Sequence, residues 1–189
     1  MAGVRRHPSV EFAEVKPKVK GKRMHYYDYY DSPQGRMLLV SSEDAVTAVY
    51  FVGQKYAATP QKDWKRDRDL APLRQARREL DEYFSGTRRR FDISLAPEGT
   101  PFQRAVWKAI AAVDFGRTIT YGELAKRAGR PGSARAAGAA TGRNPISVIV
   151  PCHRIVGSDG SLTGYAGGLD RKRALLALES GIPDLLSAA

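Results

Sequence analysis

The residues able to do chemistry meet in one tetrapeptide, Pro151-Cys152-His153-Arg154. It holds the only cysteine of the chain and one of its three histidines. A thiolate is a strong nucleophile, and a neighbouring base or positive charge, here His153 and Arg154, lowers the cost of forming it. The aliphatic run Ile146–Val150 leads straight into the tetrapeptide and predicts a buried β segment that delivers the thiol. A buried, inert cysteine beside a structural histidine uses the same residue types, so a bare Cys-His pair leaves both readings open. A single cysteine excludes an internal disulfide and any Cys-based structural zinc site, so no metal ligand set is expected.

The elements that must position this site read as α+β. His25–Tyr30, Met37–Val40 and Ala45–Val52 read as strands, with a turn at Asp31-Ser32-Pro33-Gln34-Gly35. Residues 53–70 are polar and read as a long loop. Pro72 to Phe84 predicts a helix, with Leu73, Ala76, Leu80 and Phe84 on one face and Gly86 beyond its end. Phe91, Ile93 and Leu95 alternate as a strand would. Pro97-Glu98-Gly99 reads as a linker. Thr100-Pro101-Phe102-Gln103 is a capping box with proline at the first helical position, opening a helix to about Ala112. Thr120-Tyr121-Gly122-Glu123 is a second capping box, for a helix to Ala128. After a break at residues 129–132, Ser133 is placed to cap a helix over Ala134–Thr141. Two short helices across a glycine-containing turn form a helix-turn-helix pattern, which an ordinary helical hairpin also satisfies. A last helix is predicted over Arg171–Ser180. The expected organisation is a basic flexible extension (1–23), a small sheet-and-helix domain (24–96), and a mostly helical, winged helix-turn-helix-like domain (97–189).

The chain has 189 residues and a formal net charge of +11. Residues 1–23 carry seven Lys/Arg against two Glu, residues 24–96 twelve basic against eleven acidic, and residues 97–189 twelve against seven. The excess therefore lies in the tail and the C-terminal half. Positive surface attracts polyanions, although charge alone does not choose nucleic acid over plain solubility. Hydrophobic residues make up 42%, enough to build a core. No apolar run approaches the ~20 residues of a membrane span, and the N-terminus lacks the apolar stretch of a secretory signal. A cytoplasmic protein is expected. The lysine-rich stretch at 16–23 reads as a solvated extension; a phosphate-binding arm or a nuclear address uses the same residues.

From Gly99 to about Gly181 the sequence resembles the O6-alkylguanine-DNA alkyltransferases, also called methylated-DNA–protein-cysteine methyltransferases. The matching motifs are Gly-Thr-Pro-Phe-Gln-Arg-Ala-Val-Trp (99–107), Thr-Tyr-Gly-Glu-Leu-Ala (120–125), Ala-Arg-Ala-Ala-Gly (134–138), Arg-Asn-Pro-Ile (143–146), Val-Pro-Cys-His-Arg-Ile-Val-Gly (150–157), Gly-Tyr-Ala-Gly-Gly-Leu (164–169) and Leu-Leu-Ala-Leu-Glu (175–179). The N-terminal half matches in outline.

The resemblance implies a suicide transferase that needs no cofactor. An alkyl group on guanine O6, and on O4 of alkylthymine, moves once to Cys152. His153 and Glu179, with a water, relay the thiol proton. Tyr121 supports guanine N3 and Lys172 assists electrostatically. Asn144 pins the turn that carries Cys152. Ile155, Tyr165, Ala166 and Ser147 line the substrate pocket, and the glycine-rich stretch 157–168 is its mobile loop. Arg135 fills the hole left by a base flipped from the minor groove, and Tyr121, Ser133, Ala134 and Arg143 contact DNA. The implied partner is double-stranded DNA containing O6-alkylguanine, bound by a monomer with cooperativity left open. Ser147 replaces a proline, and Ala166 a serine, of some relatives, which leaves the alkyl-size preference undecided. The zinc cysteines of some eukaryotic members are absent. Two other readings stay open: a lesion-binding sensor without transfer, which Cys152 argues against, and a thiol hydrolase, for which no oxyanion motif is present.

Overall fold

The computed structural model describes residues 10–13 and 24–181. Tyr26–Ser32 (β1) and Gly35–Ser41 (β2) form an antiparallel hairpin, and Val46–Phe51 (β3) adds antiparallel to β2. A two-residue strand, Lys65–Arg66 (β4), pairs parallel with β1 and gives the sheet order β3-β2-β1-β4. That strand lies inside the segment expected as loop. Its anchor is electrostatic: Arg66 meets the buried Asp28 at 3.0 Å, and Arg77 approaches the same carboxylate at 2.7 Å.

Ala71–Phe84 (α1) covers one face of the sheet. Its apolar stripe Leu73, Ala76 and Leu80 joins Met37, Leu39, Val49 and Phe51 in the main core. The other face buries Leu38, Val40 and Ala48 beneath Tyr27, Tyr29, Tyr50 and Trp64. β2 is therefore buried on both sides, which explains its near-continuous apolar sequence.

Phe91, Ile93 and Leu95 are buried, as alternation predicted, but they form no strand. The backbone of this segment is satisfied piecemeal. Asp92 N donates to the carboxylate of Glu79 at 2.8 Å, and Val46 takes the backbone on both sides of Leu95. Leu95 also pairs with the N-terminal segment: Leu95 N donates to Glu11 O at 2.9 Å and Ala13 N to Leu95 O at 2.8 Å. Residues 10–13 are thus docked rather than extended into solvent, because Val10 and Phe12 pack on the core. The rest of the 1–23 extension, including the lysine-rich stretch, lies outside the described residues.

Pro101–Ala111 (α2) starts with the complete capping box foreseen at Thr100 and Gln103. Ile119–Thr120 (β5) leads into Tyr121–Arg127 (α3). Only half of the second box forms: Thr120 Oγ1 accepts from Glu123 N at 3.2 Å, while the Glu123 carboxylate turns to Arg127 at 3.0 Å. Ala134–Gly142 (α4) follows, and Ser133 gives it no side-chain cap: its backbone, at φ −97° and ψ 39°, departs from the extended conformation of a capping residue. Trp107 of α2 donates its indole N–H to Ala140 O at 2.9 Å and ties α2 to α4. Ile155–Val156 (β6) pairs parallel with β5, and Leu169–Ser180 (α5) closes the described chain, starting two residues earlier than expected. None of the described helices is long and apolar enough to cross a membrane.

Candidate active site

The run Ile146–Val150 is buried as expected, but it is not a strand. It winds in turns, with Val148 at φ 71°, a strained backbone for a β-branched residue. The reason is Asn144. Its Oδ1 accepts from Ile146 N at 3.0 Å, and its Nδ2 donates to Ile146 O at 3.1 Å and Val150 O at 2.9 Å. One side-chain amide thus does the work of ladder partners. The same Nδ2 reaches Cys152 Sγ at 3.2 Å.

Cys152, His153 and Arg154 form a single 3-10 turn between this coil and β6. The thiol is 5% exposed. Burial pushes its pKa up, while the Asn144 amide and the charge on Lys172 oppose that rise. The positive charge acting on the sulfur is thus Lys172. Arg154, expected from its sequence position to assist the thiol, is committed elsewhere.

His153 is 0% exposed. Its Nε2 lies 2.7 Å from Glu179 Oε1, while Nδ1 is buried with no hydrogen-bond partner among the described residues. Glu179 is 6% exposed, so the end of α5 turns inward. It accepts from Tyr83 Oη at 2.8 Å, from Arg154 Nε and Nη2 at 2.8 and 2.9 Å, and from Gly116 N at 3.1 Å. Burial alone would raise its pKa. The bonds from His153 and Arg154, and their charges, win and hold it well below the usual carboxylate range. Glu179 is therefore an anion. Burial lowers the His153 pKa despite that neighbour, so the imidazole is neutral near pH 7. A neutral ring facing a carboxylate through Nε2 places its proton there and leaves Nδ1 as an acceptor.

Lys172 is fully buried on α5. Its ammonium donates to Ile155 O at 2.6 Å and Thr163 O at 2.8 Å, and burial lowers its pKa to about 8. Tyr121, the first residue of α3, donates to Thr163 O at 3.1 Å. Lys172 and Tyr121 thus meet at one carbonyl and hold the loop after β6. The carbonyls of Cys152 and Ile155 each carry one bond already, from Ile155 N and Lys172, and a carbonyl oxygen has a second lone pair. Tyr165 packs on the core, and its hydroxyl is buried without a partner among the described residues. Ala166 O accepts from Lys55 N at 3.1 Å. Ser147 is buried, and its hydroxyl donates to Gln54 Oε1 at 3.0 Å. A cavity of about 200 Å³ is lined by Phe91, Val113, Phe115, Ile149, Pro151 and Arg154 among others, and not by Cys152.

The residues assigned to DNA lie on and around α4. Arg135 is exposed, Ser133 and Ala134 are half-buried, and Ala137 and Ala140 face the core. Arg143 is exposed beside Tyr56, with its guanidinium 4.1 Å from the ring centre. Sequence reasoning missed Tyr83, Gln54 and Arg171. Arg171 bonds Gln34 O and Gly167 O, both at 2.8 Å, and so ties the β1–β2 turn to the loop before α5.

Comparison with known proteins shows the family and the fold. Residues 25–97 match the family model described as the ribonuclease-like domain of 6-O-methylguanine DNA methyltransferase, and residues 101–181 match the DNA binding domain of the same protein. A methylated-DNA–protein-cysteine methyltransferase of Methanosarcina acetivorans is 46% identical over 154 residues, which is 82% of this chain and 97% of the relative. One from Haemophilus influenzae is 46% identical over 155 residues, 82% of this chain and 86% of that protein. The crystal structure of Mycobacterium tuberculosis OGT in complex with DNA superposes with a TM-score of 0.77 at 42% identity, covering 86% of this chain and 98% of that one. The chain, an α+β protein with a sheet-bearing N-terminal part and a helical DNA-binding C-terminal part, belongs to the methylated-DNA–protein-cysteine methyltransferase family of DNA-repair enzymes.

Proposed function

We propose that Cys152 is the alkyl acceptor and that the protein acts once per molecule on O6-alkylguanine, and on O4-alkylthymine, in double-stranded DNA. The observation that carries this is the buried pair of His153 and an ionised Glu179 directly after Cys152 in the chain, with Nδ1 of His153 left as the acceptor. A water between Sγ and Nδ1 would pass the thiol proton to the imidazole. The proton on Nε2 stays against Glu179, whose charge stabilises the resulting imidazolium. The thiolate attacks the alkyl carbon. The S–C bond forms as the C–O6 bond breaks, and guanine departs as an anion.

That anion needs donors at its edge. The Tyr121 hydroxyl turns from Thr163 O to guanine N3, and the amide of Ala166 approaches O6. Carbonyls of Cys152 and Ile155 take the 2-amino group. Tyr165 and Ser147 bound the pocket. Lys172 keeps a positive charge near the sulfur as negative charge spreads onto the base. A thioether does not hydrolyse, so the product is the alkylated protein. The nucleophile, base and donors are all side chains or backbone, and the step needs no cofactor.

A stacked base cannot reach a buried thiol, so the lesion is flipped out at a cost of a few kcal/mol. The small-residue helix α4 enters the minor groove, with Arg135 filling the gap and Ser133, Ala134 and Arg143 on the backbone. The protein works as a monomer. The division into residues 24–96 and 97–189 then separates a supporting unit from the unit that holds DNA and the thiol. A sensor without transfer would have no use for an ionised carboxylate buried behind a neutral imidazole.

The test is intact mass after incubation with duplex DNA containing O6-methylguanine. The wild type gains about 14 Da, one methylene, on the peptide with Cys152, and gains it once. Cys152→Ala gains nothing yet still binds the duplex. Label on another residue, or transfer by the alanine variant, rejects the assignment.

A further inference from the structure

Tyr83 belongs to α1, 96 positions before Glu179, yet its hydroxyl donates to Glu179 Oε1 at 2.8 Å. The ring is fully buried and packs against Phe84, Phe91 and Phe115. Burial and the Glu179 charge push its phenol well above the ordinary value, so it remains a donor at working pH. Oε1 is then shared by three donors: Tyr83 Oη, His153 Nε2 and Arg154 Nη2. Each donor draws charge from the carboxylate and weakens its hold on the others.

Resting on the reading of Cys152 as acceptor and His153 as its base, we propose that Tyr83 is a positioning residue for alkyl transfer: its hydroxyl orients Glu179 and limits how firmly that carboxylate keeps a second proton on His153. The N-terminal part of the chain thereby takes part in tuning the reaction. The groups facing the Glu179–His153 pair are Tyr83 from α1, the Gly116 amide before β5, Arg154 from the same 3-10 turn, Lys172 from α5 and Tyr165 from the pocket loop. None of these replaces the hydroxyl. Arg154 already gives its Nε and Nη2 to the carboxylate and its Nη1 to Val113 O, and Lys172 is bound to two carbonyls.

The experiment is the pH profile of single-turnover methyl transfer from an O6-methylguanine duplex, for the wild type and Tyr83→Phe. Without the hydroxyl, Glu179 attracts the imidazolium more strongly, and the base stays protonated to higher pH. The acid limb moves up by about half a pH unit, so transfer is about three-fold slower at the acid end and nearly unchanged on the plateau. Tyrosine fluorinated beside the hydroxyl, placed at position 83, is a stronger donor and moves the limb the other way. A purely structural Tyr83 lowers the melting temperature in Tyr83→Phe and leaves the limb in place; an unmoved limb in both variants overturns the proposal. No transfer by the wild type at any pH instead sinks the reading of Cys152 on which it rests.

Discussion

Asn144 Nδ2 stands 3.2 Å from Cys152 Sγ and at the same time 2.9 Å from Val150 O. A single amide therefore braces the coil before Cys152 and adds to the polarity around its sulfur. Asn144→Ala leaves Ile146 N buried without its acceptor, while Ile146 O keeps the Val150 amide at 3.1 Å and Val150 O the Cys152 amide at 2.8 Å. At ~1–3 kcal/mol for an orphaned buried group, a loss of about 2 kcal/mol is expected in denaturant unfolding. Transfer slows as well, since the thiolate loses a donor. An alanine variant as stable and as fast as the wild type contradicts this role.

Glu179 predicts how the protein fails in acid. Its carboxyl lies below the ordinary value of 4.5 in the fold, so its contribution is complete above that pH and is lost as pH falls. His153 lies below the ordinary 6.5, so the unfolded chain takes up that proton first, which also favours unfolding as pH falls through 6.5. Both act in one direction. Melting temperature should decline from about pH 6.5 downward, more steeply near pH 4. Glu179→Gln removes the lower part of this dependence. It also leaves the Arg154 guanidinium buried without its anion, at a cost of about 3–5 kcal/mol. A pH-independent melting curve for the wild type between those values contradicts the assignment.

Lys172 is expected to set the reactivity of the thiol. Its charge opposes the upward push of burial on Cys152. Lys172→Met keeps the length and apolar stem but removes the charge and the bonds to Ile155 O and Thr163 O. The pH at which Cys152 reacts with iodoacetamide should rise, and the loop 157–168 should become more open to protease. Because Cys152 is the only cysteine, the alkylation rate reads this thiol alone. An unshifted alkylation profile shows that the ammonium merely fastens the loop.

The local parts of this architecture were legible in the sequence because their causes are local. The Thr100/Gln103 box lies within four residues, and the β1–β2 hairpin follows from an aromatic and an aliphatic run on either side of the turn at Asp31–Gly35. The coil at Ile146–Val150 was not legible. Its aliphatic run reads as strand, whereas the Asn144 side chain and local backbone bonds from Val150 N to Ile146 O and from Cys152 N to Val150 O hold it in turns. Arg154 was misread because adjacency in sequence suggested the thiol, whereas the 3-10 turn swings its guanidinium to Glu179. Tyr83 left one usable sign. It follows Leu73, Ala76 and Leu80 on the buried face of α1, and a tyrosine on such a face needs a partner for its hydroxyl. The partner itself, 96 residues away, is a product of the tertiary fold.

The proposed flipping role of Arg135 can be separated from the chemical step. It is the exposed long side chain on α4, whose other exposed positions are alanines, so the helix can come close to a narrow groove. If its guanidinium fills the gap left by the lesion, Arg135→Ala raises the cost of extrusion and leaves the thiol site untouched. A loss of about 2 kcal/mol in that step corresponds to roughly 30-fold slower repair of duplex DNA. Reaction with free O6-benzylguanine, which needs no flipping, should stay within about two-fold of the wild type. Because the arginine also carries charge, Arg135→Lys controls for simple phosphate attraction. It should recover binding at low salt while repairing the duplex more slowly than the wild type, since an ammonium is a compact charge without a planar face to stack in the gap. Equal losses on duplex and free base would place Arg135 in the chemistry, and full recovery by lysine would reduce it to a phosphate contact.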